Sequence, residues 1–409
     1  MIYNLKSAIS GFKDLITGPY KWFAIFFLVW LYRVEFMSDA GVGMGKILQV
    51  GTVFGLLYLL LREQPSIFKD TIRYTNTPVK SMTLLYLYAV LSTLWAFLPS
   101  FAFFLSFQNL LMIMLFMWAF SQFSSFAEME RGLIFITFVI VTFEFIASRI
   151  GTASIFNHIL SSGSLSAMML AYCVGEFIHC SSQDVERKGL LRNAAIAFLF
   201  FLVVNTSGGA NASAVVAVGV AMLLGGKQVY AVILIIIGLF LFFNQELIDS
   251  IILTLMPGKD METIKEGNGR EHIWEVLLHY ADQKPWTGWG FACIERVNQL
   301  GVLRGQSLSD AHSNYIGMYG SLGIVGCCLF GWHLLTTGWY LFKRKVQMGF
   351  LGLFAAFVCA TVNGYSYGFL SGKTCSFTVG YIMIVVLSFY YSNIPQEEET
   401  VIEDEQGAE

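Results

Sequence analysis

Charge is scarce in this sequence. Only 13% of its 409 residues are Asp, Glu, Lys or Arg, against 56% hydrophobic residues, a balance that excludes an ordinary soluble globular domain. A glycine-rich phosphate loop of the Walker or dinucleotide type is also lacking, which leaves a nucleotide-driven activity without support. The seven cysteines, Cys173, Cys180, Cys293, Cys327, Cys328, Cys359 and Cys375, include no Cys-x-x-Cys pair. They read as small buried hydrophobes, most of them inside apolar runs, rather than as a metal or redox pattern. Those runs do not alternate in polarity as the strands of a membrane barrel do. The first of them, residues 22–37, has no small-residue cleavage site and reads as one span of many rather than as a signal peptide.

What the chain has in abundance is long apolar stretches. Runs able to cross about 30 Å of hydrocarbon number roughly twelve. They lie near 22–37, 44–61, 81–98, 101–122, 132–148, 163–180, 190–206, 210–225, 229–247, 313–342, 348–367 and 375–392. The expected fold class is therefore an all-α polytopic membrane protein of about twelve helices. With the N-terminus inside, fifteen Lys and Arg residues fall in inside segments and three, Lys46, Arg149 and Lys373, in short outside segments. The positive-inside rule then puts both termini in the cytoplasm and the long loop 248–311 outside. The chain divides into spans one to nine (1–247), the outside loop (248–311), spans ten to twelve (312–392) and an acidic, disordered cytoplasmic tail (393–409).

The loop collects the chemistry. "NGREHIWEVLLHYADQ" predicts a capped amphipathic helix, with Asn268 as N-cap, Glu271 three residues on and an end at Lys284-Pro285. Arg270 in its first turn opposes the helix dipole unless an anion binds there, where guanidinium and free backbone N–H groups both favour it; a snorkelling or salt-bridged Arg is the plainer alternative. His272, Glu275 and His279 share one face of that helix, which is read as a polar face rather than a metal site. "PWTGWGF" follows, a turn-rich segment whose Trp286, Trp289 and Phe291 either sit in an interfacial belt or stack on sugar rings. "SLSDAHSNYIGMYGSLGIVG" enters the tenth span with Ser309 or Asp310 as cap and His312 in the first turn. There the positive helix end favours a neutral imidazole able to accept a proton, while a hydrogen-bonded structural His is the other reading. Gly317, Gly320, Gly323 and Gly326 recur at three-residue spacing and allow close approach of a helix or ligand.

About twelve spans, a long outside loop before the antepenultimate one, Gly269-Arg270 with Trp274, "PWTGWGF" and then "AHSNYIGMYGSLGIVG" together resemble the bacterial O-antigen ligase and polymerase superfamily. The resemblance implies a multi-pass inner-membrane glycosyltransferase with its active site facing the periplasm, needing neither metal nor nucleotide and binding no nucleic acid. It implies a polyprenyl-diphosphate-linked glycan as donor, a second glycan or lipid A-core as acceptor, transfer with inversion, contact with membrane lipids and partnership with a chain-length regulator. By the same resemblance Arg270 holds the diphosphate and His312 acts at the reacting centre. The family's Arg at the outer end of a central span is replaced here by Gly208, within "NTSGGANAS". Arg149, Arg296 or Arg304 would then supply the charge, with Asn205, Thr206, Ser207 and Asn211 as hydrogen-bond donors.

The chemistry has its own logic. Glycosyl transfer from a lipid diphosphate requires neutralising the leaving group, deprotonating an acceptor hydroxyl and stabilising an oxocarbenium-like centre. Arg270 suits the first task and His312 the second, with Glu271, Glu275 and Asp310 as other bases. Trp274, Trp286, Trp289, Arg296, Arg304, Asn314 and Tyr315 complete the expected substrate-binding set. Within this reading a polymerase is favoured over a ligase, on the likeness of the Arg270 to Phe291 stretch to exopolysaccharide-type polymerases. A transporter or flippase is the rival from another class, and would require ionisable groups near mid-membrane, such as Arg33, Glu35, Glu144 and Glu176, with broken helices and an internal repeat. A non-catalytic scaffold for polysaccharide assembly is a third reading, and leaves Arg270 and His312 without a role.

Overall fold

The computed structural model describes residues 44–123, 125–149, 159–205, 207–233, 270–300, 311–372 and 374–393. The first expected span, most of the ninth, the tail and residues Thr206, Asn268, Arg304, Ser309 and Asp310 lie outside these, as do the side chains of Arg149 and Glu271. The helices are α1 (Met44–Glu63), α2 (Ile67–Tyr74), α3 (Thr77–Leu91), α4 (Pro99–Phe120), α5 (Phe126–Arg149), α6 (Ile159–His179), α7 (Val185–Val204), α8 (Gly208–Leu224), α9 (Arg270–Ala281), α10 (Asn314–Lys343), α11 (Phe350–Asn363) and α12 (Ser376–Asn393). No strand occurs among the described residues. α4, α10 and α12 are long and apolar enough to cross a membrane by length and composition. The described residues are all-α, as the apolar runs predict.

Local signals set several boundaries. Asn76 caps α3 by accepting the Val79 N–H at 3.3 Å, with Pro78 following, and Asp184 caps α7 by accepting the Arg187 N–H at 3.0 Å. Other boundaries differ from expectation. The third span was expected to run to residue 98, but α3 stops at Leu91 and passes through a 3-10 turn, Ser92–Leu94. Residues 95–98 are apolar because they meet a distant part of the chain: Phe97 N–H donates to the Trp289 carbonyl at 2.9 Å. α9 likewise ends at Ala281 rather than Lys284, its last turn giving way to tight turns that lead into Pro285.

α12 runs through the middle of the bundle. Residues 376–388 are all buried, against α3, α4, α5, α6 and α11, the place for a helix that is apolar all round. α6, α7, α8 and α11 pack together on one side, and α3, α4 and α10 on another. α6 and α11 approach so closely that a Cβ on Gly175 would lie 2.9 Å from the Gly352 Cα, a contact only small residues permit.

The two ends of the bundle are stapled separately. At one end Arg187 donates to Glu130 at 2.7 and 2.8 Å and to Glu176 at 2.6 Å. Glu176 also accepts the N–H groups of Gly349 at 2.8 Å and Gly352 at 2.7 Å, and Tyr172 bridges Glu130 to Tyr391, both at 3.0 Å. This clasp joins α5, α6, α7, α11 and α12. At the other end lie Ser92, Phe97, Gly209, Asn314, Gly364 and the Ser161–Ser376 pair at 2.6 Å, along with the expected site residues.

Candidate functional site

The first element of the site is a break in a helix. α10 loses helical geometry at Gly323 (φ 65°, ψ −163°), which divides it into two half-helices. The backbone groups that the break frees are taken by residues 285–290. Ile324 N–H donates to the Pro285 carbonyl at 2.8 Å and Val325 N–H to Trp286 at 3.3 Å, while the N–H groups of Trp289 and Gly290 donate to Gly320 at 3.0 Å and Ser321 at 2.9 Å. Backbone thus lies against backbone. Gly323 and Gly288 both have positive φ, and a Cβ on either would collide with the other strand of this contact. This is why "PWTGWGF" carries Gly288, as the segment closes the broken helix; Gly290 (φ 98°) is required instead by the close approach of Ala96.

The aromatic rings of that segment divide between two uses. Trp289 donates its indole N–H to the Tyr280 carbonyl at 2.8 Å, stands edge-on to Phe97 at 6.5 Å and lies under Lys284 at 4.2 Å. Phe291 is buried, its N–H on Ser92 Oγ at 3.0 Å. These residues hold the loop to α3 and α4, whereas Trp286 is 67% exposed. Cys293 points at the Leu98 carbonyl at 3.7 Å, and burial pushes its thiol pKa up. Arg296 lies over the Phe101 ring at 5.2 Å, at the start of α4.

A second set of residues surrounds His312. Leu277, Tyr280, Ile294 and Ala311 form a small core beneath α9 that seats the helix on the bundle. One turn beyond Arg270, Trp274 donates its indole N–H to the Ala311 carbonyl at 2.9 Å and turns its ring edge to Tyr365 at 5.6 Å. His312, next in the chain, has φ 49°, a left-handed backbone that a residue with a side chain adopts only where its surroundings enforce it. It lies ahead of the helix rather than in its first turn: Ser313 is the N-cap and α10 begins at Asn314. Ser313 takes the N-cap position after the left-handed turn at His312, without a capping hydrogen bond from its side chain.

Asn314 ties this turn to the α11 end. Its N–H donates to the Gly364 carbonyl at 2.8 Å and its Oδ1 accepts the Leu370 N–H at 2.7 Å, while the Tyr315 hydroxyl donates to the Thr361 carbonyl at 3.1 Å. The same loop faces α8. A Cβ on Gly209 would collide with Ser366 Oγ and lie 3.4 Å from Asn363 Oδ1. Asn205 and Ser207 are buried beside Gly163, and Asn211 is half-buried on α8. Residues 361–366 therefore meet the N-termini of α8 and α10, and Tyr365 meets Trp274 of α9, one turn beyond Arg270.

Each helix N-terminus carries a partial positive charge, so the termini of α8 and α10 favour an anion near this loop, although the Asn314 N–H is already taken by Gly364. Two buried amides add donors: Nδ2 of Asn205 and Nδ2 of Asn363 have no partner among the described residues, although these side chains are 5% and 2% exposed. Buried amide donors normally find partners. The arrangement suits a ligand with an anionic group and many hydroxyls. Among the expected residues, Trp274, Asn314, Tyr315, Asn205 and Ser207 lie around this loop and the turn at His312, with Arg270 one turn before Trp274 on α9. Trp286, Trp289 and Arg296 lie in or beside the segment that plugs α10. His272, Glu275 and His279 are exposed on α9, and no group of three metal-ligating side chains forms among the described residues.

Asn363, Tyr365 and Ser366 were missed from the sequence. The signal was a polar and aromatic interruption, "VNGYSYG", in the otherwise apolar eleventh span.

Residues 194–331 match the family model described as O-Antigen ligase. The match agrees with the superfamily that the motifs resemble, whose members are membrane glycosyltransferase-like ligases and polymerases. It runs from α7 into α10, containing the N-termini of α8, α9 and α10 and His312; residues 361–366 lie beyond it. Among curated proteins none matches the chain.

Proposed function

We propose that this O-antigen-ligase-like protein is an inverting glycosyltransferase that joins polyprenyl-diphosphate-linked glycan repeats, with the 270–326 region on the extracytoplasmic side of the inner membrane. The meeting of the α8 and α10 N-termini at residues 361–366, with Trp274 of α9 bonded to the residue before His312, carries the reading. The donor diphosphate takes the place of the anion those termini favour, and the Arg270 fork meets two of its oxygens. Trp274 and Tyr365 suit a pyranose face. The orphan amides of Asn205 and Asn363 suit sugar hydroxyls or a phosphate oxygen, where the family's second Arg would stand.

In the reaction an acceptor hydroxyl oxygen attacks the anomeric carbon from the face opposite the diphosphate. The bond between that carbon and the diphosphate oxygen breaks, and the electron pair leaves on the polyprenyl diphosphate. The acceptor proton passes to His312, whose backbone is held by Trp274 on one side and Asn314 on the other. The helix termini and Arg270 oppose charge that grows on the leaving oxygen, where fixed dipoles act without reorganisation.

The broken α10 is the observation that speaks for a transporter. Its freed N–H and C=O groups are closed by 285–290, however, and so are not left to line an ion path. Purified protein in liposomes with labelled lipid-linked glycan separates the classes: new glycosidic bonds support the enzyme, and movement of the lipid without bond formation overturns it. A ligase is the second reading within the enzyme class. Deleting the gene should leave single repeats on lipid A-core, whereas long lipid-linked chains beside bare core would identify a ligase. A cysteine at the exposed position Gln283 should react with an impermeant maleimide in cells whose outer membrane alone is permeable; protection would overturn the orientation.

A further inference from the structure

A cleft far from the candidate site has a wall and a mouth of different chemistry. It opens between α10 and α11 in their halves nearer the Arg187 clasp, holds about 610 Å³ and is lined by Leu334, Leu335, Trp339, Phe342, Phe354 and Phe357 among others. Thr336, its one hydroxyl, already donates to the Trp332 carbonyl at 2.7 Å, so the wall presents no unmet polar group. Gly338 sets its depth, since a Cβ there would lie 3.0 Å from the Phe357 ring.

The mouth is cationic. Lys343 Nζ lies 4.7 Å from the Trp339 ring centroid and Lys345 Nζ 4.2 Å from that of Phe342, so both ammonium groups rest on rings that line the cleft. Neither has an acidic partner among the described residues. Trp339, 60% exposed, stands at the level of the lysines as an interfacial indole does. A neutral lipid would fill the apolar wall equally well, but the two unneutralised cations select an anion at the headgroup.

We infer that this cleft binds an anionic phospholipid of the surrounding bilayer, one acyl chain between α10 and α11 and the phosphate between Lys343 and Lys345. The acidic tail that follows α12 is the competing occupant. Its charge would suit the lysines, but its bulky apolar residues are Ile394, beside the end of α12, and the pair Val401 and Ile402, too little for a cleft of this size.

The test is retention of added phosphatidylglycerol, against phosphatidylcholine, by the purified full-length protein in native mass spectrometry. Wild type should hold phosphatidylglycerol in preference. Lys343→Gln with Lys345→Gln should weaken it by about fivefold per cation, roughly twenty-fivefold in all, and leave phosphatidylcholine unchanged. Gly338→Leu fills the cleft without touching either lysine and should lower retention of both lipids. Equal retention of the two lipids by wild type, or unchanged phosphatidylglycerol binding in either variant, overturns the assignment. A preference seen only after truncation at Pro395 also overturns it, because the tail then occupies the site in the intact protein.

Discussion

The two ends of the bundle use buried polar groups in opposite ways. In the Arg187 clasp every charged group is committed: one guanidinium serves two carboxylates, and the same carboxylates hold two glycine N–H groups and a tyrosine. At the other end Asn205 and Asn363 keep a buried N–H pair without a described partner, a helix is broken at Gly323, and Ala292 and His312 hold left-handed backbone. Satisfied polar networks make a packed region rigid and specific, while unsatisfied groups and strain collect where a ligand completes the structure. The difference separates an end whose polar groups hold helices together from one that leaves buried donors open, as the proposed substrate site requires.

The largest effect should come from His312. Losing a general base costs on the order of a hundredfold to ten-thousandfold in turnover, so His312→Ala should be near-inactive yet inserted and folded. His312→Arg separates two roles. An arginine can replace a cationic phosphate ligand but not a base, and the pH profile has the matching sign: a base loses activity as the medium becomes acidic, a cationic ligand as it becomes alkaline. A fully active His312→Ala enzyme would remove the residue from the mechanism.

Arg187→Ala tests the opposite end. It leaves two buried carboxyl groups without their cation, and breaking a buried pair in this way costs about 3–5 kcal/mol of stability. Thermal unfolding in detergent should fall sharply, while the fraction that remains folded should keep its donor KM. A variant of normal stability and altered KM would place the clasp in the site's machinery and erase the contrast between the ends.

How much of this contrast was legible before the coordinates follows from where each signal resides. Continuous apolar runs report helices directly, and the bias of Lys and Arg gives an expected orientation that the fold itself does not test. A positive φ leaves no such trace. Gly323 has the same spacing as Gly317, Gly320 and Gly326, so glycine at close-packed positions and glycine at a broken helix read alike. His312 follows two competent caps and precedes a third, and nothing in the local pattern chooses among them. Trp289 looks like a sugar-stacking ring until its indole N–H is found on Tyr280. Asn363 and Ser366 belong to the site only because α11 brings them to α8 and α10, a long-range contact that no motif within 269–326 encodes.

A smaller loss is expected of Arg270→Lys. The charge remains at the α9 terminus, but the planar fork is gone, and a hydrogen bond to a charged group contributes about 1.5–3 kcal/mol, roughly tenfold to a hundredfold in rate. Donor competition with polyprenyl diphosphate should weaken in parallel. An Arg270→Ala enzyme that keeps donor affinity and turnover would make the residue an interfacial anchor instead.

The smallest effect, and the sharpest test of the contrast, belongs to Asn363. Its side chain is 2% exposed, its Oδ1 meets Ser366 Oγ at 3.4 Å, and its Nδ2 has no described partner. A structural asparagine and a ligand-binding one predict opposite stability changes. If the amide only supports the loop, replacing it breaks a bond that folding made, and stability falls. If its N–H groups await a substrate, an apolar side chain of similar size removes an unmet donor, and the empty protein should be unchanged or more stable. Asn363→Leu should therefore melt at or above the wild-type temperature while its donor KM rises by about three- to tenfold, the value of one neutral hydrogen bond. Asn363→Asp keeps the shape but sets a carboxylate near the proposed diphosphate, and should be the worse of the two for activity. Loss of stability in Asn363→Leu with an unaltered KM would make the orphan amide part of the fold, and with it the reading of residues 361–366 as a substrate-facing loop would fail.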